Sequence, residues 1–527
     1  MLHSLTCRGG MVTAPHHLAA QAGAAILREG GNAVEAMVAA AAAIAAVYPH
    51  MNSIGGDGFW LIAEPGCEPV AVRACGASAG LASRDYYREH GDAAIPTRGS
   101  RAALTVAGAV GGWAEALKVA AGWGSALPLA RLLEDAIRHA REGVPVTRSQ
   151  EALTRSKWYE LATVPGFAET FAANGMPALG SLQTLPRLAN TLEQLVRNGL
   201  DDFYRGDLAR SMARDLESVG SPLRLEDLER YRAASVTPLS VELSVGRVYN
   251  QPPPTQGVSS LAILGIFDRL KATDGESFAH IHGLVEATKR AFRWRNKHVG
   301  DPSRMTVDPK SFLTSTALEA EARAIDSDRA AAWPETAKPG DTIWMGAADR
   351  HGRVVSYIQS IYWEFGSGVV LKESGVNWQN RGSSFTLDDG PNALLPHTLP
   401  FHTLNPALAR LHDGRTLAYG TMGGEGQPQT QAAFFSRHVL YGQNMQAAIT
   451  APRWLLGRTW GENSTNLKVE SRFAPELVQQ LEDAGHEVQV VGPYEDMMGH
   501  AGALAFHPNG NFEGATDPRA DGVCAGV

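Results

Sequence analysis

Small and apolar residues recur at helical spacing over 17–29, and the pattern stops at Gly30-Gly31, a pair suited to the left-handed position after a helix. Asn32-Ala-Val-Glu35 then sets an amide N-cap three residues before a glutamate, the spacing of a reciprocal capping box. The helix it opens passes through an alanine-rich run, 37–47, and ends near Tyr48-Pro49. That run is apolar on every side yet only eleven residues long. A bilayer span needs ~20, so the pattern predicts a buried core helix. Asn52-Ser-Ile-Gly-Gly-Asp-Gly58 reads as a glycine turn before an apolar stretch, 59–63. Further helices are expected over 129–141, 187–197, 207–219 and 278–294.

Beyond residue 341 the pattern turns to β. Residues 342–348 and 353–360 flank Asp349-Arg-His-Gly352, a hairpin turn. Folding about it sets Thr342 beside Gln359 or Ser360, with one residue of freedom in register. A second hairpin, 406–411 with 416–420 about His412-Asp-Gly-Arg415, leads through Thr421-Met-Gly-Gly-Glu-Gly-Gln-Pro428 into a helix over 429–441. Pro428 suits the first helical turn, where a missing N–H costs nothing. Helices around antiparallel pairs predict an α+β fold of stacked sheets with helices outside. Between the two halves lies 328–341, DRAAAWPETAKPGD, small, polar and proline-containing. Composition alone favours an exposed, mobile interdomain linker there over a processing site.

The 527 residues carry a net charge of −8, which argues against a nucleic-acid binder relying on a broad basic surface. Length suggests two to four domains at ~150 residues each. Cys7, Cys67, Cys75 and Cys524 are scattered without a CxxC, so neither a disulfide framework nor a cysteine zinc site is expected. The opening MLHSLTCRGGMVT has no signal-like apolar stretch. The expectation is a soluble cytoplasmic protein with no membrane or nucleic-acid partner.

Candidate chemistry narrows by elimination. Gly55-Gly-Asp-Gly58 and Gly423-Gly-Glu-Gly426 fit neither a dinucleotide fingerprint nor a P-loop. Among the histidines, His16-His17, His280, His282, His397 and His402 included, no HExxH or other metal spacing occurs, and there is no GxSxG elbow. No metal or cofactor is expected. Gly423-Gly424, between a strand and a helix start, offers outward N–H groups suited to an anion or a developing oxyanion. Thr342 on its own is an ordinary strand residue.

An ordered set of motifs changes that. Met11-Val-Thr-Ala-Pro15, Gly30-Gly-Asn-Ala-Val-Glu-Ala36, Ser53-Ile-Gly-Gly-Asp-Gly-Phe59, Phe203-Tyr-Arg-Gly206, Asp227-Leu-Glu-Arg-Tyr231, Pro253-Pro-Thr-Gln-Gly257 and Gly300-Asp-Pro302 resemble the gamma-glutamyltransferase family. Asp349-Arg-His-Gly352, Phe365-Gly-Ser-Gly368, Gly423-Gly424, Ala451-Pro-Arg453 and Thr516-Asp-Pro-Arg519 continue the match in order. The resemblance implies an N-terminal-nucleophile hydrolase with an αββα sandwich. It implies self-cleavage between Asp341 and Thr342, giving a large subunit 1–341 and a small subunit 342–527 that together form one domain. A dimer of such heterodimers is the expected assembly. Thr342 falls at the family's nucleophile, and its freed α-amine would be the base, since such amines ordinarily titrate at about 7.7–8.0. Ser360 falls where a hydroxyl supports the nucleophile, Gly423-Gly424 at the oxyanion hole, and Arg73 at the arginine for the substrate α-carboxylate.

The departures point to the substrate. The family's asparagine, glutamine and aspartate for an α-ammonium are replaced here by Tyr362, Arg381 and Ser384, and Arg381 would repel an ammonium. Tyr362, Trp363 and Trp378 add bulk in this region. The resemblance is to the acylase-like branch, and most of all to amidohydrolases acting on oxamate. It implies a small carboxylate-bearing amide as substrate: oxamate converted to oxalate and ammonia, in purine (uric acid) breakdown. The alternatives are a glutathione hydrolase, a cephalosporin-type acylase, or a non-catalytic binding protein retaining the fold. A denaturing gel separates the last of these, because an inert chain stays whole.

Overall fold

The structure, a computed structural model, describes residues 3–124, 126–334, 340, 342–457 and 464–527. Asn32 caps helix Ala33–Val47: its carboxamide oxygen accepts the Val34 and Glu35 N–H groups at 3.0 Å, and Glu35 returns to the Asn32 N–H at 2.8 Å. All 15 residues of this helix are buried. Alanine makes that possible, because a helix without bulk can lie between helices His17–Arg28 and Leu129–Glu142 and the strands beneath them.

Two seven-stranded antiparallel sheets stack at the centre. One runs Val523–Gly526, Gly10–Ala14, Ile343–Asp349, Val354–Ser360, Asp57–Ala63, Val70–Ala74, Ala234–Val236. The other runs Leu5–Cys7, Phe512–Thr516, Ala501–Phe506, Thr416–Thr421, Ala407–Leu411, Gly246–Asn250, Leu239–Leu243. Phe59, Trp344, Ile358, Tyr249, Leu408 and Leu504 fill the space between them. The alanine-rich helix and its neighbours cover the first sheet, and helices Gly257–Leu270, Phe278–His298 and Gln427–Phe435 cover the second. The result is an αββα sandwich, an α+β fold. No helix among the described residues is long and apolar enough to cross a membrane.

Each sheet takes strands from both sides of residue 341, so 328–341 does not join two domains. The interdomain-linker expectation fails because sheet pairing interleaves the two halves. Residues 328–334 are exposed or half-buried and held against helix Phe278–His298, whereas Gly340 is buried. Lys289 donates to the Ala331 carbonyl at 2.6 Å, the Ala331 N–H donates to Glu286 at 3.2 Å, and the Ala330 N–H donates to Ala484 at 2.8 Å. Residues 335–339 and Asp341 lie outside the described residues.

The motifs near the C-terminus form a buried ion network. Arg519 pairs with Asp517 at 2.9 Å and with Glu470, and Arg453 pairs with Asp517, which also accepts the Ala501 N–H at 2.7 Å. Charges taken from water are tolerated only when paired this fully. The network ties strands Ala501–Phe506 and Phe512–Thr516 to a third, three-stranded sheet of Trp454–Leu456, Leu467–Glu470 and Val488–Val491.

Candidate active site

Sheet register builds the site. Ile343 lies opposite Gln359, so the next pair outward is Thr342 with Ser360. Ser360 lies opposite Asp57, and the Gly58–Ala74 pair sets Asp57 opposite Cys75. Thr342, Ser360, Asp57 and Cys75 therefore form one row across four strands. Trp344, Ile358 and Phe59, two residues along their strands, face the layer between the sheets. By the period-two rule the first three of the row face the same way.

Thr342 is fully buried, and its hydroxyl donates to the Gln359 carbonyl at 3.2 Å. Asn52 fixes that carbonyl from the other side, donating to it at 2.9 Å. Ser360 Oγ accepts the Tyr362 N–H at 2.8 Å and so folds the chain sharply after the strand. Gly55 and Gly56 are glycines for a steric reason. A Cβ on Gly56 would lie 2.1 Å from the Ser360 carbonyl oxygen, and one on Gly55 would lie 2.3 Å from that of Asn377.

Gly423 and Gly424 both take positive φ, 113° and 50°, at the end of strand Thr416–Thr421. The turn is held from behind: Gln256 donates to the Gly424 carbonyl at 2.8 Å, and Arg295 donates to Gln256 at 2.8 Å while pairing with Glu425 at 2.7 Å. Gly340, two residues before Thr342, packs between this turn and Tyr362. A Cβ on it would come within 2.9 Å of the Tyr362 ring and 3.3 Å of Gly424 Cα. Thr342, the glycine turn and Tyr362 are thus brought together. If the turn receives an oxyanion, Gly424→Ala should lower turnover by about 10²-fold. Its Cβ would meet Gly340 at 2.8 Å in a conformation unfavourable to alanine. A folded, processed variant with unchanged kcat would leave the pair a turn only.

Tyr362 itself has φ 83°, which is uncommon for a bulky residue and occurs at functional sites. Its ring carries the Arg381 guanidinium, whose carbon sits 3.7 Å from the ring centroid. Arg381 is fully buried in the short helix Arg381–Ser384. Its Nη1 donates to Thr403 Oγ1 at 3.4 Å, while Nη2 has no hydrogen-bond partner among the described residues. Burial pulls its pKa down to about 10.

Beside it lies Asp57. One carboxylate oxygen accepts the N–H groups of Gly108 at 3.0 Å and Gly76 at 3.4 Å, and the Gln379 amide at 3.2 Å. The other oxygen has no hydrogen bond among the described residues, and lies 3.4 Å from His402 Nε2. Burial raises the Asp57 pKa to about 7 against the pull of Arg381 and the hydrogen bonds. Burial and Arg381 keep His402 neutral, well below the usual histidine range. From sequence, Asn52 and Asp57 were read only as parts of a glycine turn, His402 only as a histidine without metal spacing, and Thr403 not at all. The signal available was an aspartate inside a glycine turn.

The other expected residues lie further out. Arg73 is opposite Phe59, one pleat beyond the Thr342 row and three strands from Thr342. At ~4.8 Å per strand this is about 14 Å sideways, so the structure does not bring Arg73 against Thr342. Ser384 is buried and donates to the Phe401 carbonyl at 3.1 Å, tying the Arg381 turn to the His402 loop. Trp378 is a core residue, donating to Thr105 at 3.0 Å. Trp363 stacks under Arg98 at 5.2 Å. Among the described residues, one grouping with metal-ligand chemistry appears that spacing did not suggest, His282, Glu286 and His486. There Glu286 is neutralised by Lys289 at 2.7 Å, and the two imidazoles hydrogen-bond each other at 2.9 Å.

Residues 19–527 match the family described as Gamma-glutamyltranspeptidase. The chain is 54% identical over 520 residues, 98% of each protein, to the oxamate amidohydrolase proenzyme of Klebsiella pneumoniae. It is 40% identical over 524 residues, again 98% of each, to the glutathione hydrolase-like YwrD proenzyme of Bacillus subtilis. The crystal structure of a cephalosporin acylase from Bacillus halodurans superposes with a TM-score of 0.91 at 33% identity, covering 100% of this chain and 97% of that one. The chain belongs to the gamma-glutamyltranspeptidase family, and is an N-terminal-nucleophile hydrolase of amide C–N bonds.

Proposed function

We propose that this protein cleaves itself between Asp341 and Thr342 and then hydrolyses a small amide bearing a carboxylate beside its carbonyl, with oxamate the substrate. The large subunit is 1–341 and the small one 342–527. The observation that carries the substrate reading is Arg381, a buried guanidinium with one open amino group, reached from Thr342 past Tyr362. The 54% identity to an oxamate amidohydrolase proenzyme supports the same reading. An arginine held this way fixes both position and orientation of a carboxylate.

In this mechanism Arg381 holds the carboxylate, with Tyr362 beneath it and Ser384 fixing its turn. The Thr342 α-amine takes the hydroxyl proton as Oγ1 attacks the amide carbon, and Ser360 orients that hydroxyl. The N–H groups of Gly423 and Gly424 receive the oxyanion. Collapse breaks the C–N bond, the amine returns its proton to the leaving nitrogen, and ammonia departs. A water activated by the same amine then cleaves the oxalyl ester to oxalate. Arg73 adds only a long-range positive field.

The test is release of the leaving amine from a panel of small amides: ammonia from oxamate and acetamide, the aniline from γ-glutamyl anilides. Oxamate should turn over, whereas acetamide and γ-glutamyl anilides should be poor. Good turnover of γ-glutamyl compounds with inert oxamate would sink the proposal. A cephalosporin-type acylase is the second reading, favoured by a cleft of about 240 Å³ lined by Met51, Leu153, Lys157, Glu364 and Met422, the neighbour of Gly423. Ammonia needs no such space. That reading expects amides with a bulky amine to outrun oxamate.

A further inference from the structure

We infer that Asp57 is the proton-carrying partner of Arg381, so that a carboxylate enters this pocket together with one proton taken from solvent onto the Asp57 side chain. The inference rests on the carboxylate-amide reading of the same site. It starts from three buried groups converging from separate segments. These are Asp57, whose second carboxylate oxygen faces His402 Nε2 at 3.4 Å without a hydrogen bond, His402 with neither ring nitrogen hydrogen-bonded, and Arg381, bonded to the neighbouring Thr403 but with Nη2 unpartnered, all among the described residues. Buried polar atoms are almost always satisfied, and a group of orphans at one place marks a binding surface.

Charge balance supplies the rest. Facing Asp57 are His402, kept neutral, Ser360 from the adjoining strand, Gln379, the Gly76 and Gly108 N–H groups, and the Cys75 thiol, raised by burial. The phenols of Tyr204, Tyr231 and Tyr357 are raised chiefly by burial, with the Asp57 charge adding to the effect, and so stay neutral. Arg73 and Asp301 are the next charges outward, opposite in sign. With Asp57 ionised, Arg381 and Asp57 already cancel, and an entering anion leaves a net negative charge in a dry site. With Asp57 protonated, Arg381 and the anion cancel instead, and the Asp57 O–H becomes a donor to the ligand or to His402. The second arrangement is favoured wherever water is excluded. The Asp57 pKa near 7 keeps that proton within reach at neutral pH.

The alternative is that ionised Asp57 accepts a substrate ammonium while Arg381 takes its carboxylate, which would make the pocket a reader of zwitterions. The two differ in proton count. Processed wild-type enzyme is titrated with acetate, an inert monoanion, at pH 6 to 9 and constant ionic strength, with Kd read from thermal shift. Above pH 7 the Kd should rise about tenfold per pH unit. The Thr342 α-amine titrates in the same range, so the deciding comparison is Asp57→Asn, which keeps an acceptor for Gly76 and Gly108 but cannot ionise. Its Kd should change less than about twofold over the same range. Asp57→Ser serves if the amide variant does not fold. Calorimetry of the wild type in two buffers of different ionisation heat should find about one proton taken up at pH 8 and almost none at pH 6.

A flat wild-type profile, or a steep one persisting in Asp57→Asn, overturns the inference. So does pH-independent binding of glycine with no binding of acetate. If acetate behaves as expected while oxamate is inert, the pocket assignment stands and the substrate reading falls.

Discussion

Replacing Thr342 with alanine should leave one intact chain of 527 residues on a denaturing gel, where the proposed mechanism expects pieces of 341 and 186 from the wild type. Amide hydrolysis should vanish with it. Both losses have one origin. In the proposed processing step the Thr342 hydroxyl attacks the Asp341 carbonyl, the peptide C–N bond breaks as an ester forms, and water cleaves that ester. The product is a free amine beside the same hydroxyl, so the variant lacks nucleophile and base together. Removing a nucleophile from such a site commonly lowers kcat by about 10⁶. Thr342→Ser keeps an attacking hydroxyl and should still cut, though without the β-methyl that helps hold the rotamer against Gln359. A Thr342→Ala chain that matures normally would refute the mechanism, and N-terminal sequencing of the small piece should read Thr-Ile-Trp-Met.

Much of the frame around that threonine was legible because it is local. Asn32 and Glu35 sit three residues apart, so their capping box is written in one turn of chain. The Asp349-Arg-His-Gly352 turn sets the hairpin, which sets Thr342 against Ser360. The pocket was not legible, because its parts meet only through strand order. Asp57 lies more than 300 residues before Arg381 and His402, and nothing local says that strand Asp57–Ala63 pairs with Val354–Ser360. Arg73 shows the same limit from the other side. The family resemblance placed Arg73 at a carboxylate-binding position, but its lateral distance from Thr342 depends on two intervening strands. Composition misled at 328–341 for a related reason: small, polar residues describe exposure, not which elements lie on either side.

The second large effect should follow from Arg381. Arg381→Lys should lower kcat/KM for oxamate by about 10³-fold, whereas Arg73→Lys should change it by less than about threefold. Lysine keeps the charge but loses the flat guanidinium that lies on Tyr362 at 3.7 Å while reaching Thr403 and a ligand with separate N–H groups. Truncating one partner of a buried charged pair costs roughly 2–5 kcal/mol, and each 1.4 kcal/mol is tenfold, which brackets the expected loss. An uncharged control separates binding from general damage. Ethyl oxamate has the same amide with its acid esterified, so it gains nothing from a cation. The wild type should hydrolyse its amide slowly, and Arg381→Lys should leave that slow rate within about threefold. If both substrates fall together, Arg381 supports the fold of its turn and the carboxylate is held elsewhere. If oxamate survives in Arg381→Lys and fails in Arg73→Lys, the distant arginine reaches the substrate after all. A selective loss of the acid in Arg381→Lys alone would make the guanidinium on Tyr362 the element that distinguishes this site from one built for an α-ammonium.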